Sequence, residues 1–207
     1  MNFHIVQHIY IFMVIAFFGF SVVVDSFKHV LAGAHFTPMA ALVKPYRLFE
    51  GSTSVLFFFR WVVLPLYQVP SIYTLLSIAP MFMVGGYYLA FFFIISHNFE
   101  SVYLFDKDNC KDDNKSFLYK QVSSSSNVGG PLLCFFNGGL NYQIEHHLFP
   151  RMSHAHYPKI APFVREFCKK KNIPYVHFPT IAANVLSCSK HLAIMGAKKE
   201  PKLNYEN

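Results

Sequence analysis

Three apolar stretches organise the first half of the chain. Ile5 to Val24 carries no formal charge, has Gln7 and His8 as polar interruptions near its start, and is long enough to span a bilayer's hydrocarbon core. Ile72 to Ser96 is longer and also uncharged; Pro80 and Gly85-Gly86 inside it are tolerable in a membrane helix whose neighbours satisfy the freed backbone groups. Ser54 to Tyr67 is shorter and contains Arg60 and Pro65. Too short to cross without tilt, it is expected to be an in-plane or re-entrant helix turned onto the next span through Gln68 to Ser71. The pattern predicts two full crossings, by the first and third stretches.

The second half reads differently. Asp106 to Lys120 is polar and charged, and the serine run Ser123 to Ser126 leads into Asn127-Val128-Gly129-Gly130, all expected to be loop. A helix is expected to resume near Pro131 and to loosen at Gly138-Gly139. Ala161 to Lys171 has helical spacing, with Phe163, Val164 and Phe167 assigned to one face. No internal repeat is present. The predicted fold class is all-α, an integral membrane region over 1–100 followed by a cytosolic helical region over 101–207.

Composition supports a bilayer as solvent. The 207 residues are 53% apolar and 18% aromatic but only 14% charged, against about 25% charged in soluble domains. The formal charge is +7, and the first hundred residues hold only Lys28, Lys44, Arg47 and Arg60 of the 18 basic residues. A cationic second half predicts that the C-terminal region faces the cytosol. The basic residues form no stripe interleaved with aromatics, so no nucleic-acid partner is expected. Cys110, Cys134, Cys168 and Cys188 are widely spaced without a CxxC pair, which argues against a disulfide framework or a zinc site. Asn114-Lys115-Ser116 matches a glycosylation sequon that would stay unmodified on the cytosolic side. Met1 is followed by apolar sequence with no basic leader, a poor signal peptide and a better membrane segment.

The candidate chemistry lies in NYQIEHHLFP, residues 141–150. On a helix, Gln143, His146 and His147 fall at i, i+3 and i+4 and project from one face. Neutral imidazole suits iron, copper or zinc, but surface histidine pairs are common and spacing alone leaves both readings open. His97 ends the longest apolar segment, where an ionisable residue is either functional or part of the interfacial belt.

FIISHNFE at 93–100, QVSSSSNVGG at 121–130, NGGLNYQIEHHLFP at 137–150 and YPKIAPFVREFCKKKNIPYVHFP at 157–179 together resemble the membrane fatty acid desaturases. More narrowly they resemble the front-end, delta-5/delta-6-like group, whose third histidine box begins with Gln and matches QIEHH at 143–147. The resemblance implies a di-iron centre on the cytosolic face of the endoplasmic reticulum membrane. That centre would use dioxygen, and electrons from cytochrome b5 (a fused domain or a separate protein), to remove two hydrogens from an acyl chain. The substrate would be an acyl-CoA or a phospholipid-bound acyl group. His146 and His147 match the box's iron ligands, and His97 a further ligand after the last span. Gln143 stands where related desaturases place a histidine, to ligate or only orient. Glu145 and Asn141 are expected in the supporting shell, Glu145 accepting an imidazole N–H.

The family's two earlier boxes, HxxxH and HxxHH, set a limit. His4 and His8 have the first spacing, but QHIY at 7–10 resembles the segment after box two; HxxHH and the haem motif HPGG occur nowhere. His29, His35, His154, His156, His177 and His191 lack box spacing and are expected in surface or core roles. The expectation is the C-terminal portion of a front-end desaturase, inactive by itself. Alternatives are a sphingolipid long-chain-base desaturase or related hydroxylase fragment, and a non-catalytic membrane partner of full desaturases.

Overall fold

The computed structural model describes residues 3–32, 47–103 and 115–197. Residues 106–114 of the expected loop, Cys110, the Asn114 sequon, His35 and the tail from 198 lie outside these residues. Met13–Ala90 forms one compact unit, and Met1–Phe12 together with Phe91–Asn207 forms another.

The first apolar stretch is helical as α1 (Gln7–Val14), a 3-10 turn at Ile15–Phe17 and α2 (Phe18–Ala32). The second is a longer helix than the apolar run suggested. α3 (Arg47–Phe58) continues through a π turn at Phe59–Val63 into α4 (Leu64–Gln68). The widened turn has a cause in the sequence: Pro65 brings no N–H and its ring crowds the carbonyl four residues back. The third stretch is one helix, α5 (Ile72–His97), running through Pro80.

Gln7–Lys28 and Ile72–His97 are long and apolar enough to cross a membrane, and only 11% and 22% of their most apolar windows are buried. A soluble core helix would be mostly covered, so their bare Met13, Phe17, Tyr73 and Val84 side chains mark surfaces suited to lipid. Within Met13–Ala90, α2 and α5 meet backbone to backbone. A Cβ on Gly86 would lie 2.0 Å from the Gly19 nitrogen, and one on Gly19 the same distance from the Phe82 carbonyl oxygen. Small residues permit this contact, which is how helices associate where lipid removes the hydrophobic drive.

The other unit contains short helices: α6 (Phe117–Ser123), α7 (Pro131–Asn137), α8 (Gln143–Leu148), α9 (Tyr157–Lys170) and α10 (Ile181–Ala197). The all-α expectation holds apart from two minimal strands. β1 (Asn127–Val128) pairs in parallel with β2 (His177–Phe178), and Asn127 also bridges Tyr142. Phe92, Ile95, Val128 and Cys188 form one core cluster, and Val122, Ile144, Val164 and Cys168 a second.

Two local expectations are corrected. Phe117–Ser123 is helix rather than loop, because Ser116 caps it by accepting from the Tyr119 N–H and Leu118 and Val122 share the second core cluster. In the serine run Ser123, Ser125 and Ser126 are buried and Ser124 half-buried, and the hydroxyls bond nearby carbonyls, Ser125 to Gln121 and Ser126 to Ser96. On α9 the buried face is Tyr157, Ala161, Val164 and Cys168, spaced i, i+4, i+7, i+11, so Phe163 is 73% exposed and Phe167 45%.

Candidate metal centre

His97 is delivered by the last turn of α5, its ring stacked 6.4 Å from Phe93. The turn after α6 is pinned beside it, since Ser126 donates from both its N–H and its hydroxyl to the Ser96 carbonyl. α8 is seated by a different set of contacts. Gly138 ends α7 at φ +63°, and Gly139 follows at φ +87°, where a Cβ would stand 2.5 Å from the His154 Cβ. Only glycine accepts that backbone and that proximity. The Asn127 side-chain oxygen then accepts from Ile144 N–H at 3.0 Å, satisfying a donor at the open start of α8.

This folding gathers the three histidines singled out in the sequence. The His97 and His147 rings lie 5.0 Å apart between centroids at an interplanar angle of 23°, and His146 lies 6.2 Å from His147. Each ring has its Nδ1 occupied. His97 Nδ1 faces the Ser124 carbonyl, His147 Nδ1 the Gln121 carbonyl and His146 Nδ1 the Tyr157 hydroxyl, each at 3.3 Å. A carbonyl can only accept, so Nδ1 carries the hydrogen on His97 and His147, which leaves the Nε2 lone pair as the available ligand. Burial, helped by the neighbouring His97, pushes His147 down to about 4, so its imidazole is neutral at physiological pH.

Gln143 joins the group. Its amide nitrogen stands 3.3 Å from His147 Nε2 and donates to the lone pair there. To serve as a ligand, Gln143 would have to turn its carbonyl oxygen inward. Among the described residues no three His, Cys, Asp or Glu side chains close on a single point. By type the imidazoles suit iron, and His97 and His147 also by tautomer, but three histidines are too few to hold a di-iron centre alone.

Glu145 is placed differently from expectation. It is fully buried, and its two oxygens accept from Asn127 Nδ2 at 2.6 Å and Tyr175 Oη at 2.8 Å, not from an imidazole. The reason is helical geometry: at 100° per residue, Glu145 stands about 160° from Gln143 and His147 and about 100° from His146. Burial raises its carboxyl above the usual range, while the two donors pull it back. Asn141 also braces the scaffold, donating to the Val128 and Gly130 carbonyls. His154 and His156 are exposed. His177 is held between Arg165, which donates to its Nδ1, and the Gly129 carbonyl that its Nε2 faces.

Sequence reasoning missed Gln121, Ser124, Tyr157, Asn127 and Tyr175. The first two act through the main chain and leave no residue signature. Beside the histidines, Phe93, Gln143, His146, His154 and Tyr157 line a cavity of about 280 Å³, near the lower end for small-molecule sites.

Residues 3–179 match the family model described as Fatty acid desaturase. The chain is 49% identical over 149 residues to the acyl-lipid (7-3)-desaturase of Rebecca salina, covering 70% of this chain and 33% of that protein. It is 39% identical over 203 residues to the acyl-lipid (7-3)-desaturase of Diacronema lutheri, covering 96% and 45%. With the acyl-lipid (8-3)-desaturase of Physcomitrium patens it shares 30% identity over 201 residues, covering 94% and 42%. The chain thus spans less than half the length of these curated relatives. No solved structure matches it significantly. With a match that runs through the histidine cluster and most of the chain, the protein belongs to the fatty acid desaturase family, in its front-end group.

Proposed function

We propose that this chain supplies the C-terminal part of a front-end acyl-lipid desaturase, which introduces a cis double bond into a long-chain polyunsaturated acyl group. The reading extends what the family carries generally, namely membrane association, lipid acyl substrates and iron. The observation that carries it is the trio His97, His146 and His147, gathered with each Nδ1 engaged elsewhere. These three residues, with Gln143 after a turn of its amide, would hold part of a di-iron centre. When bound, iron supplies the oxidising power that an unactivated C–H bond demands.

The chain's own groups do the rest. The Ser124 and Gln121 carbonyls orient two rings and keep each hydrogen on Nδ1. The buried Glu145–Asn127–Tyr175 network fixes α8 from behind. Phe93 and the Gly138-Gly139 turn line the cavity beside His146. Electrons would come from cytochrome b5, on the cytosolic face of the endoplasmic reticulum, with residues 101–207 on that side and residues 1–100 in the membrane. The relatives' names favour an acyl-lipid substrate over a sphingoid base.

The test is product analysis by gas chromatography in a host lacking the activity, using the complete reading frame that encodes this chain. A new unsaturated fatty acid that disappears with His146→Ala and persists with His156→Ala supports the reading. New long-chain-base products, or none, would overturn it.

A further inference from the structure

Two of the three histidine anchors are main-chain carbonyls, which no substitution removes. The third is a side chain. His146 Nδ1 stands 3.3 Å from Tyr157 Oη, and Tyr157 opens α9 at only 3% exposure, packed with Cys134, Tyr142 and Ala161. The same hydroxyl donates to the Phe149 carbonyl at 3.5 Å. A phenol has one hydrogen. When that hydrogen goes to Phe149, only oxygen lone pairs face His146, and Nδ1 then carries its own hydrogen.

We propose that Tyr157 is a positioning residue that holds His146 in the tautomer presenting Nε2 toward the cavity side of the site. The proposal rests on the reading of His146 as an iron ligand. Tyr157 touches no metal itself. Through Phe149 it also ties the C-terminal end of α8 to the start of α9, so ring orientation and helix position are set by one hydroxyl. Partners on the far nitrogen of a ligating imidazole typically change metal affinity 10–100-fold when removed.

The experiment uses the full chain in detergent micelles, labelled with 15N-histidine, metal-free and at mildly alkaline pH. Long-range proton–nitrogen correlation reads which nitrogen of each ring bears hydrogen, with His→Gln variants assigning the signals. The wild type should show His146 as the Nδ1–H form. Tyr157→Phe, which keeps the ring and its packing, should convert His146 to a mixture of tautomers while His97 and His147 stay unchanged on their carbonyl anchors. Iron(II) titration of the same samples should then show about 10-fold weaker binding in Tyr157→Phe. An Nε2–H form of His146 in the wild type overturns the proposal without recourse to any variant. So does an unchanged His146 tautomer in Tyr157→Phe. A tautomer shift in a chain that binds no iron would uphold the Tyr157–His146 link and sink the metal reading it rests on.

Discussion

Removing the Tyr175 hydroxyl tests whether the buried carboxylate behind the histidines holds α8 in place. Tyr175→Phe deletes the 2.8 Å bond to Glu145 and keeps the ring over which the Arg165 guanidinium sits at 5.3 Å, so packing is conserved. Glu145 is fully buried and cannot recruit bulk water in exchange. A hydrogen bond to a charged group contributes about 1.5–3 kcal/mol. Asn127 keeps its own 2.6 Å bond to the carboxylate, so the weaker bond it donates to the phenol adds little on loss. The expected cost is about 2 kcal/mol, which corresponds to roughly 30-fold faster opening-limited exchange of the α8 amides. Hydrogen exchange read by mass spectrometry on peptides covering 143–148 measures it. Glu145→Gln should cost more, about 3 kcal/mol, because an amide turns a donor toward one of two existing donors. Combined, the two changes should fall short of their sum by about 1 kcal/mol or more, since they break one shared bond. Exchange in α8 that stays within about twofold of wild type in Tyr175→Phe, or strict additivity, would refute the reasoning.

Other substitutions probe separate parts of the fold. Gly86→Ala should lower the stability of Met13–Ala90 by about 1–3 kcal/mol, since its Cβ would meet Gly19 backbone at 2.0 Å, whereas Gly85→Ala, with open space around it, should be close to neutral. Thermal unfolding followed by Trp61 fluorescence reports on that unit. Gly139→Ala combines φ +87° with the 2.5 Å approach to His154 and should destabilise more than Gly138→Ala, at φ +63° with nothing nearby; protection of the α8 amides should rank them in that order. For the metal-free chain, His147 has a folded value lowered from 6.5 to about 4. Its neutral form therefore favours folding, a contribution complete above pH 6.5 and lost as pH falls from 6.5 to 4. Unfolding midpoints across that window should fall less steeply in His147→Gln than in wild type.

How far the sequence carried depends on the kind of signal. Long apolar runs located α1–α2 and α5 because lipid-facing helices must be apolar along their length. The i, i+3, i+4 spacing brought Gln143, His146 and His147 to one face, and the structure adds His97 to them. The same wheel would have sent Glu145 to the opposite face, so its expected imidazole partner was an avoidable error. Spacing groups Phe163, Val164 and Phe167 on one face of α9, while the buried face follows the wider periodicity of Tyr157, Ala161, Val164 and Cys168. The helix at Phe117–Ser123 and the burial of the serine run were hidden because serine reads as loop until a neighbouring backbone accepts its hydroxyl. Carbonyl anchors at Gln121 and Ser124 had no sequence signature at all.

The resting pose of Gln143 bears on how such a site is loaded. Its amide sits on the Nε2 lone pair of His147, so the ligand is neither bare nor protonated while it waits. A neutral hydrogen bond of this kind contributes only about 1 kcal/mol net. Under the proposed function, a metal ion taking the His147 lone pair would have to displace only this one bond. The covered imidazole therefore belongs to the fold itself: Gln143 and His147, one helical turn apart on α8, satisfy each other without help from any other element.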